Sequence, residues 1–422
     1  MLYDRWLRVV GRCPERVALR ELTTGRSWTF RELDAAVKPA ARHEPRSVAF
    51  IEGNGADFIL AVLGAWRSGQ VLCPLEPLRT RPCLTTSVPA QVVHLKTTSA
   101  TSGASRLVAF TAPQLIADAE NIVATMGLRQ DWPNLGAISL AHSYGFSNLV
   151  LPLLLHGIPL ILLESGLPES LRRAAELDRF TLAAVPALWQ TWLEAHAIPP
   201  NIRLAISAGA PLPLPLEQSV FAKYGLKIHN FYGSTECGGI AFDSTSAPRT
   251  DAALAGAPLN NVRVSVGQDG CLEVRGSAVG ECLWPAPGPN LDRGVFRTSD
   301  LGEISNGLIF LRGRASDQIN IAGRKVLPEA IESVLAQHPQ VRACVAFGVP
   351  SPEAPRGEII VACVAAAPGL SGDSLKQFAL AKLPAWQVPR EWWFVEKLGA
   401  NGRGKISRAE WRSRYLESAT GK

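Results

Sequence analysis

The chain has 422 residues, 47% of them hydrophobic, enough to bury more than one core and long enough to favour two or more domains. Its 43 basic and 37 acidic residues leave a formal charge of +6 scattered along the whole sequence, which excludes a disordered polyelectrolyte and gives no concentrated footprint for nucleic acid. The eight dispersed cysteines include no C-x-x-C pair, which argues against a zinc ribbon or a disulfide framework and fits reduced thiols in a cytoplasm.

The first residues mix charge with apolar side chains and lack the uninterrupted apolar core of a signal peptide. Short apolar runs at 47–51, 160–163 and 182–185 alternate with helix-like segments at 56–67 and 170–177, a pattern of α/β layers with buried, largely parallel strands. The most apolar stretch, 149–163, is broken by Pro152, His156, Gly157 and Pro159. It falls short of the roughly 20 apolar residues that span a bilayer and reads as a buried helix, a turn and a buried strand. From about residue 260 short strands punctuated by Gly and Pro predict a β-rich subdomain, at 263–266, 271–275 and 307–311. Beyond Gly313 the order is strand, turn, helix (328–337), strand (343–349), strand (358–365) and a helix from 374, a compact α+β module. The expected organisation is a large N-terminal α/β domain of several subdomains over 1–312, and a small C-terminal α+β domain over 313–422.

Two segments concentrate polar chemistry. The stretch from Lys96 to Arg106 surrounds Gly103 with hydroxyl side chains directly after an apolar run; such a loop can wrap anionic oxygens, with Arg106 supplying charge. It lacks the Walker pattern, and taken alone it is equally an ordinary Ser/Thr-rich turn. The second, Asn230-Phe-Tyr-Gly-Ser-Thr-Glu236, places a ring that can stack on a base, a hydroxyl for phosphate and a carboxylate for a cation just after a short strand. A polar strand-end loop is its plain alternative.

In order and spacing these segments resemble the adenylate-forming superfamily of acyl- and aryl-CoA synthetases, peptide-synthetase adenylation domains and luciferases. The resemblance runs nearly end to end. It includes Trp28-Thr-Phe-Arg-Glu-Leu33, Leu140-Ala-His-Ser-Tyr-Gly145, Ser207-Ala-Gly-Ala-Pro-Leu212, Phe296-Arg-Thr-Ser-Asp-Leu301, the segment from Gly313 to Gly323, and Gly402-Arg-Gly-Lys-Ile-Ser-Arg408. The resemblance implies an ATP- and Mg2+-dependent enzyme that joins a small-molecule carboxylic acid to AMP and then to a thiol, either CoA or the phosphopantetheine of an acyl or peptidyl carrier protein. Thr98, Ser99, Thr101, Ser102, Gly103 and Arg106 would hold the β- and γ-phosphates, and Gly209, Ala210, Pro211, Asn230 and Tyr232 would frame the adenine. Asp300 would bind the ribose, assisted by Arg314, while Thr235 would meet the α-phosphate and Glu236 the metal. His142 and Gly233 would border the acid pocket, with Tyr144, Val185 and Gly238 beside them. Lys405 would bridge the carboxylate and α-phosphate in the first half-reaction, and rotation of the small domain would bring the Gly323 loop in its place for the second.

The chain departs from the family pattern in carrying Ala100, Ser105, Arg106 and Leu107 where relatives have Gly, Pro, Lys and Gly, and Ser316 at the hinge. The apolar pocket residues point to an aromatic or medium-length acyl acid. An amine acceptor, and a nucleotide-binding regulator without turnover, are the alternatives that an acceptor screen and a pyrophosphate assay separate.

Overall fold

The computed structural model describes every residue except 38–45, 77–79, 83, 85, 99–106, 352–356, 400–406 and 421–422, with only the backbone described at 419 and 420. The chain divides into two compact units, one made of 1–265, 273–297 and 304–309, the other of 266–272, 298–303 and 310–422. Strands Arg263–Val266, Cys271–Arg275, Val295–Ser305 and Leu308–Arg314 each contribute residues to both.

In the larger unit, strands Ile228–Ser234, Ile202–Ser207, Phe180–Ala184, Asn134–Gly136, Leu160–Leu162 and Val17–Glu21 lie side by side in that order, all parallel. From Asn134–Gly136 the chain steps to one side to form Leu160–Leu162. It then crosses back to lay Phe180–Ala184, Ile202–Ser207 and Ile228–Ser234 on the other side. That reversal makes a crevice at the carboxyl ends of Asn134–Gly136 and Phe180–Ala184, the place where open α/β sheets bind ligands. Helices Pro186–Glu194 and Leu214–Tyr224 begin at prolines in their first turn, and the latter stops at Gly225 in the left-handed region (φ 63°). Their apolar faces bury Trp189, Trp192, Leu216 and Val220 with Phe180, Leu182, Ile202 and Ile228. Both indoles find acceptors, Trp189 at Ile206 O (3.1 Å) and Trp192 at Gly166 O (2.8 Å).

A second sheet pairs Val48–Glu52, Val71–Leu75, Val92–Thr97, Leu107–Thr111 and Cys282–Trp284. Helix Ala112–Met126 follows from Thr111, whose capping box with Gln114 fixes its start, and Gly127 (φ 62°) ends it. The expected helix, turn and strand over 149–163 form as π-helical turns through His156, Gly157 at φ 70° and strand Leu160–Leu162. The π turns flank Pro152, which has no N–H to give to an α-helical ladder.

The smaller unit is α+β, as its pattern predicts. Val341–Pro350 pairs antiparallel with Glu358–Ala366, which pairs parallel with Glu391–Val395. Glu358–Ala366 alternates between two cores: Ile360, Ala362 and Val364 pack with Ile331 and Leu375, while Val361, Cys363 and Ala365 pack with Phe347 and Trp411. A strand covered on both faces reads as a continuous apolar run. Among the described residues no helix is long and apolar enough to cross a membrane.

Candidate active site

The crevice is bordered by residues the sequence singles out. His142 caps the short helical turn Ser143–Gly145, its Nδ1 accepting the Tyr144 N–H at 3.3 Å, and remains half-buried. Gly145 is required there, since a Cβ would fall 2.0 Å from Ser139 O. The turn is held from outside by Asn54, whose Oδ1 accepts the Leu140 N–H at 2.6 Å. Tyr144 is buried; its hydroxyl donates to Ala184 O at 3.4 Å and its ring centre lies 5.9 Å from that of Phe231. Burial pushes its phenol pKa far up, so it stays a neutral donor. Val185 follows Ala184, and a Cβ on Gly209 (φ 86°) would sit 3.4 Å from Val185 Cγ1. The pairing of Ser207 with both Ala184 and Asn230 aligns these strand ends. His142, Tyr144, Val185, Gly209 and Asn230 thus belong to neighbouring carboxyl ends of one parallel sheet. A cleft of about 200 Å3 lies at the ends of Asn134–Gly136 and Leu160–Leu162, lined by Gly53, Asn54, residues 136–139, Leu163, Ser165 and Gly166 and by none of these five.

The Asn230–Glu236 segment is not the strand-end loop its composition suggests. It continues strand Ile228–Ser234, which turns at Thr235, Glu236 and Cys237 and returns antiparallel as Gly238–Phe242. Glycine makes this possible: a Cβ on Gly233 would lie 2.7 Å from Gly238 O, and Gly238 itself has φ 69°. Thr235 and Glu236 therefore sit at a hairpin tip, both half-buried. The tip is fixed by Ser234 Oγ accepting the Glu236 N–H (3.2 Å) and by the Gly280 N–H donating to Glu236 O (2.8 Å). Among the described residues no three His, Cys, Asp or Glu side chains converge as a metal site. A cation at the Glu236 carboxylate would take further oxygens from a bound phosphate.

Beneath the Gly209–Pro211 segment and Asn230 lies a charged network that no sequence motif announces. Glu217, fully buried, accepts the Arg249 backbone N–H at 3.0 Å and its Nε at 2.9 Å, and is also bound by Lys227. Lys227 reaches Asp243 Oδ2 at 2.6 Å, so two cations meet two carboxylates. Arg249 then donates to Leu212 O (2.6 Å) and to Leu254 O (2.9 Å), and Leu254 O also accepts from Asn230 Nδ2 (3.0 Å). Leu212, which follows Gly209–Pro211, is in this way held by the guanidinium directly, and Asn230 is linked to it through the shared Leu254 carbonyl. A signal existed: Glu217 is the charged residue between Leu216 and Val220 on the buried side of its helix. Asp118 gives the same signal, at the i+3 position from Leu115 and the i−4 position from Ile122 on the buried face of its helix.

In the smaller unit Asp300 and Arg314 are brought together, Arg314 Nε donating to Asp300 Oδ1 at 2.9 Å, with Thr298 Oγ accepting the Asp300 N–H at 3.0 Å. Gly323 (φ 84°) and Ala322 (φ 49°) form the tip of the hairpin Ile319–Ile321 and Arg324–Val326, and Asn320 Oδ1 accepts the Gly323 N–H at 2.9 Å. Of the remaining candidates, Thr98 directly follows strand Val92–Thr97, and Tyr232 pairs with Ala241. Ser99, Thr101, Ser102, Gly103, Arg106 and Lys405 lie outside the described residues.

The sequence pattern of the AMP-binding enzyme family matches residues 82–294, and that of the AMP-binding enzyme C-terminal domain matches residues 330–405. The chain belongs to the AMP-binding enzyme family. Within that family it is similar to a feruloyl-CoA synthase of an Amycolatopsis species, 30% identical over 349 residues, covering 77% of this chain and 70% of that protein. It is also similar to a probable 2-succinylbenzoate–CoA ligase of Mycobacterium tuberculosis, 29% identical over 345 residues, covering 78% of this chain and 86% of that one. Two solved structures share its fold. ATP-bound MatB from Rhodopseudomonas palustris aligns with a TM-score of 0.86 at 20% identity over 98% of this chain and 99% of its own. The o-succinylbenzoate CoA synthetase MenE from Bacillus subtilis, in complex with the acyl-adenylate intermediate OSB-AMP, aligns at 0.84 and 21% identity over 97% of each chain. The α/β architecture with a small C-terminal α+β part, expected from the sequence, is therefore that of the AMP-binding enzymes.

Proposed function

We propose that this AMP-binding enzyme is an ATP-dependent carboxylic acid–CoA ligase acting on an aromatic acid. The observation that carries the reading is the similarity over three quarters of the chain to CoA ligases of ferulate and 2-succinylbenzoate type, joined to the convergence of His142, Tyr144 and Val185 at the sheet's reversal point. A carboxylate oxygen of the acid displaces pyrophosphate from the α-phosphorus of ATP, giving acyl-AMP; the thiol sulfur then attacks the acyl carbon, expelling AMP and forming the thioester.

His142, Tyr144 and Val185 would shape the acid's cavity, with Tyr144 acting as an apolar wall whose only polar atom is already satisfied by Ala184. Gly209 would leave room for the nucleotide to approach the backbone, and Gly233, where a Cβ would meet the hairpin's own Gly238 O, would border the acid pocket. Tyr232 would cover the adenine, Thr235 would donate to the α-phosphate, and Asp300 with Arg314 would hold the ribose. Mg2+ held by Glu236 and phosphate oxygens would supply the charge that departure of pyrophosphate needs. Lys405 would neutralise the charge that builds between carboxylate and α-phosphate, residues 1–312 serving the nucleotide and acid and 313–422 carrying that lysine.

The test is acid-dependent pyrophosphate release, with ATP, Mg2+ and no thiol, by wild type and Lys405→Ala over aromatic, fatty and amino acids. Release with an aromatic acid that falls about a hundredfold or more in the variant is the expected result. Absence of release with every acid would overturn it. Adding CoA, a phosphopantetheinylated carrier protein or an amine to the active mixture then identifies the acceptor, with CoA expected.

A further inference from the structure

Strand Val92–Thr97 leads directly to Thr98, and its Lys96 side chain turns inward, leaving the residue 4% exposed. An ammonium so placed requires partners. Lys96 Nζ donates to Ser147 Oγ at 3.1 Å, lies 3.7 Å from Asp118 Oδ2, and stands 4.7 Å from the centre of the Phe110 ring. Ser147, just after the His142–Gly145 turn, donates to the same Asp118 oxygen at 2.6 Å. The other oxygen of Asp118 accepts the Gly239 N–H at 3.2 Å. Gly238 packs so tightly against it that a Cβ there would lie 2.0 Å from Asp118 Oδ1. Burial pulls the Lys96 pKa down, opposed chiefly by Asp118 and in smaller part by Cys237 and Glu236.

We propose that Lys96, Asp118 and Ser147 are positioning residues for acyl-AMP formation, fixing the Glu236 hairpin against the strand that enters the hydroxyl-rich loop and the turn that carries His142. The inference rests on the adenylation reading above. Stability alone does not account for the trio, because a buried ion pair is about as stable as a well-packed apolar pair of the same volume. What the charges add is direction: each Asp118 oxygen serves a different segment, and a displaced carboxylate would release the Gly239 N–H and let the turn holding Glu236 shift.

The experiment measures kcat and the acid KM of pyrophosphate release for wild type, Asp118→Asn, Ser147→Ala and the double variant K96M/D118N, each checked for cooperative melting. In Asp118→Asn the ammonium is unmatched, and kcat is expected to fall about ten- to a hundredfold with the acid KM within about twofold, the signature of displaced catalytic groups. Ser147→Ala, which keeps both charges, should lose about threefold, and the double variant, whose amide at 118 still accepts the Gly239 N–H, should return to within about fivefold of wild type. The proposal is overturned if an active wild type is matched by Asp118→Asn and Ser147→Ala, or if the double variant melts normally yet is no better than Asp118→Asn. A wild type that releases no pyrophosphate with any acid would remove the adenylation reading itself, and this inference with it.

Discussion

Tyr144 joins two strands of the sheet without belonging to either: its hydroxyl donates to Ala184 O at 3.4 Å while its ring faces Phe231, 5.9 Å between centres. The hydrogen bond is long and the ring is buried, so packing rather than the hydroxyl should carry the residue's effect. Tyr144→Phe should cost no more than about 1 kcal/mol in urea denaturation, whereas Tyr144→Ala should cost about 3–5 kcal/mol. In the acid panel the alanine variant should shift preference toward bulkier acids. Equal losses in the two variants would mean that the hydroxyl dominates.

The Glu217 network gives a sharper stability contrast. Arg249→Ala leaves a fully buried carboxylate with Lys227 as its one remaining cation and frees Leu212 O, so the larger unit should lose about 3–5 kcal/mol. Because the same guanidinium fixes Leu212 and, through Leu254, Asn230, the ATP KM should rise while the acid KM changes little. Denaturation and initial-rate kinetics on one preparation check both.

Ala322 occupies a left-handed conformation (φ 49°) that costs an L-residue about 1–2 kcal/mol relative to an unstrained one. Ala322→Gly should therefore stabilise the smaller unit by about 1 kcal/mol, less the entropy glycine adds to the unfolded chain. Hydrogen exchange in strand Ile319–Ile321 would slow if this is right and quicken if the turn rests on another contact.

His94, His156 and His229 all have pKa values held below the ordinary 6.5, in each case chiefly by burial, with the charge on Lys96 adding to the effect at His94. The folded protein resists protonating these rings, while the unfolded chain protonates them below about pH 6.5. Stability is thus fully present above that pH and declines as pH falls through it, by up to about 1.4 kcal/mol per pH unit for each histidine. Urea midpoints at pH 7.5 and 5.5 should show the decline, and His94→Leu should lessen it.

How much of this was legible in the sequence differs from residue to residue. The apolar run at 182–185 announces a buried strand, and structure puts Phe180–Ala184 there with Val185 at its end, because burial on both faces leaves little choice of side chain. Helix Ala56–Arg67 is legible through its apolar density, and the smaller unit through its Pro-started helix and paired strands. Strand Gly238–Phe242 was not legible: the reason for Gly238 is the close approach of Gly233 and Asp118, which only the fold supplies. Lys96 and Asp118 are 22 positions apart in the chain, and a lysine ending a strand reads as solvated until its partner is known. Periodicity shows which face is buried but not which polar residues on it have found each other.

The four charges of the Glu217 network also bear on how this chain can change. Loss of any one member leaves an unmatched charge where water does not reach, so a lineage moving by single substitutions meets an unstable protein at its first step in every direction. An apolar replacement of the set is reachable only by several changes at once. The network is therefore expected to be inherited as a block, while the exposed surface around it drifts freely.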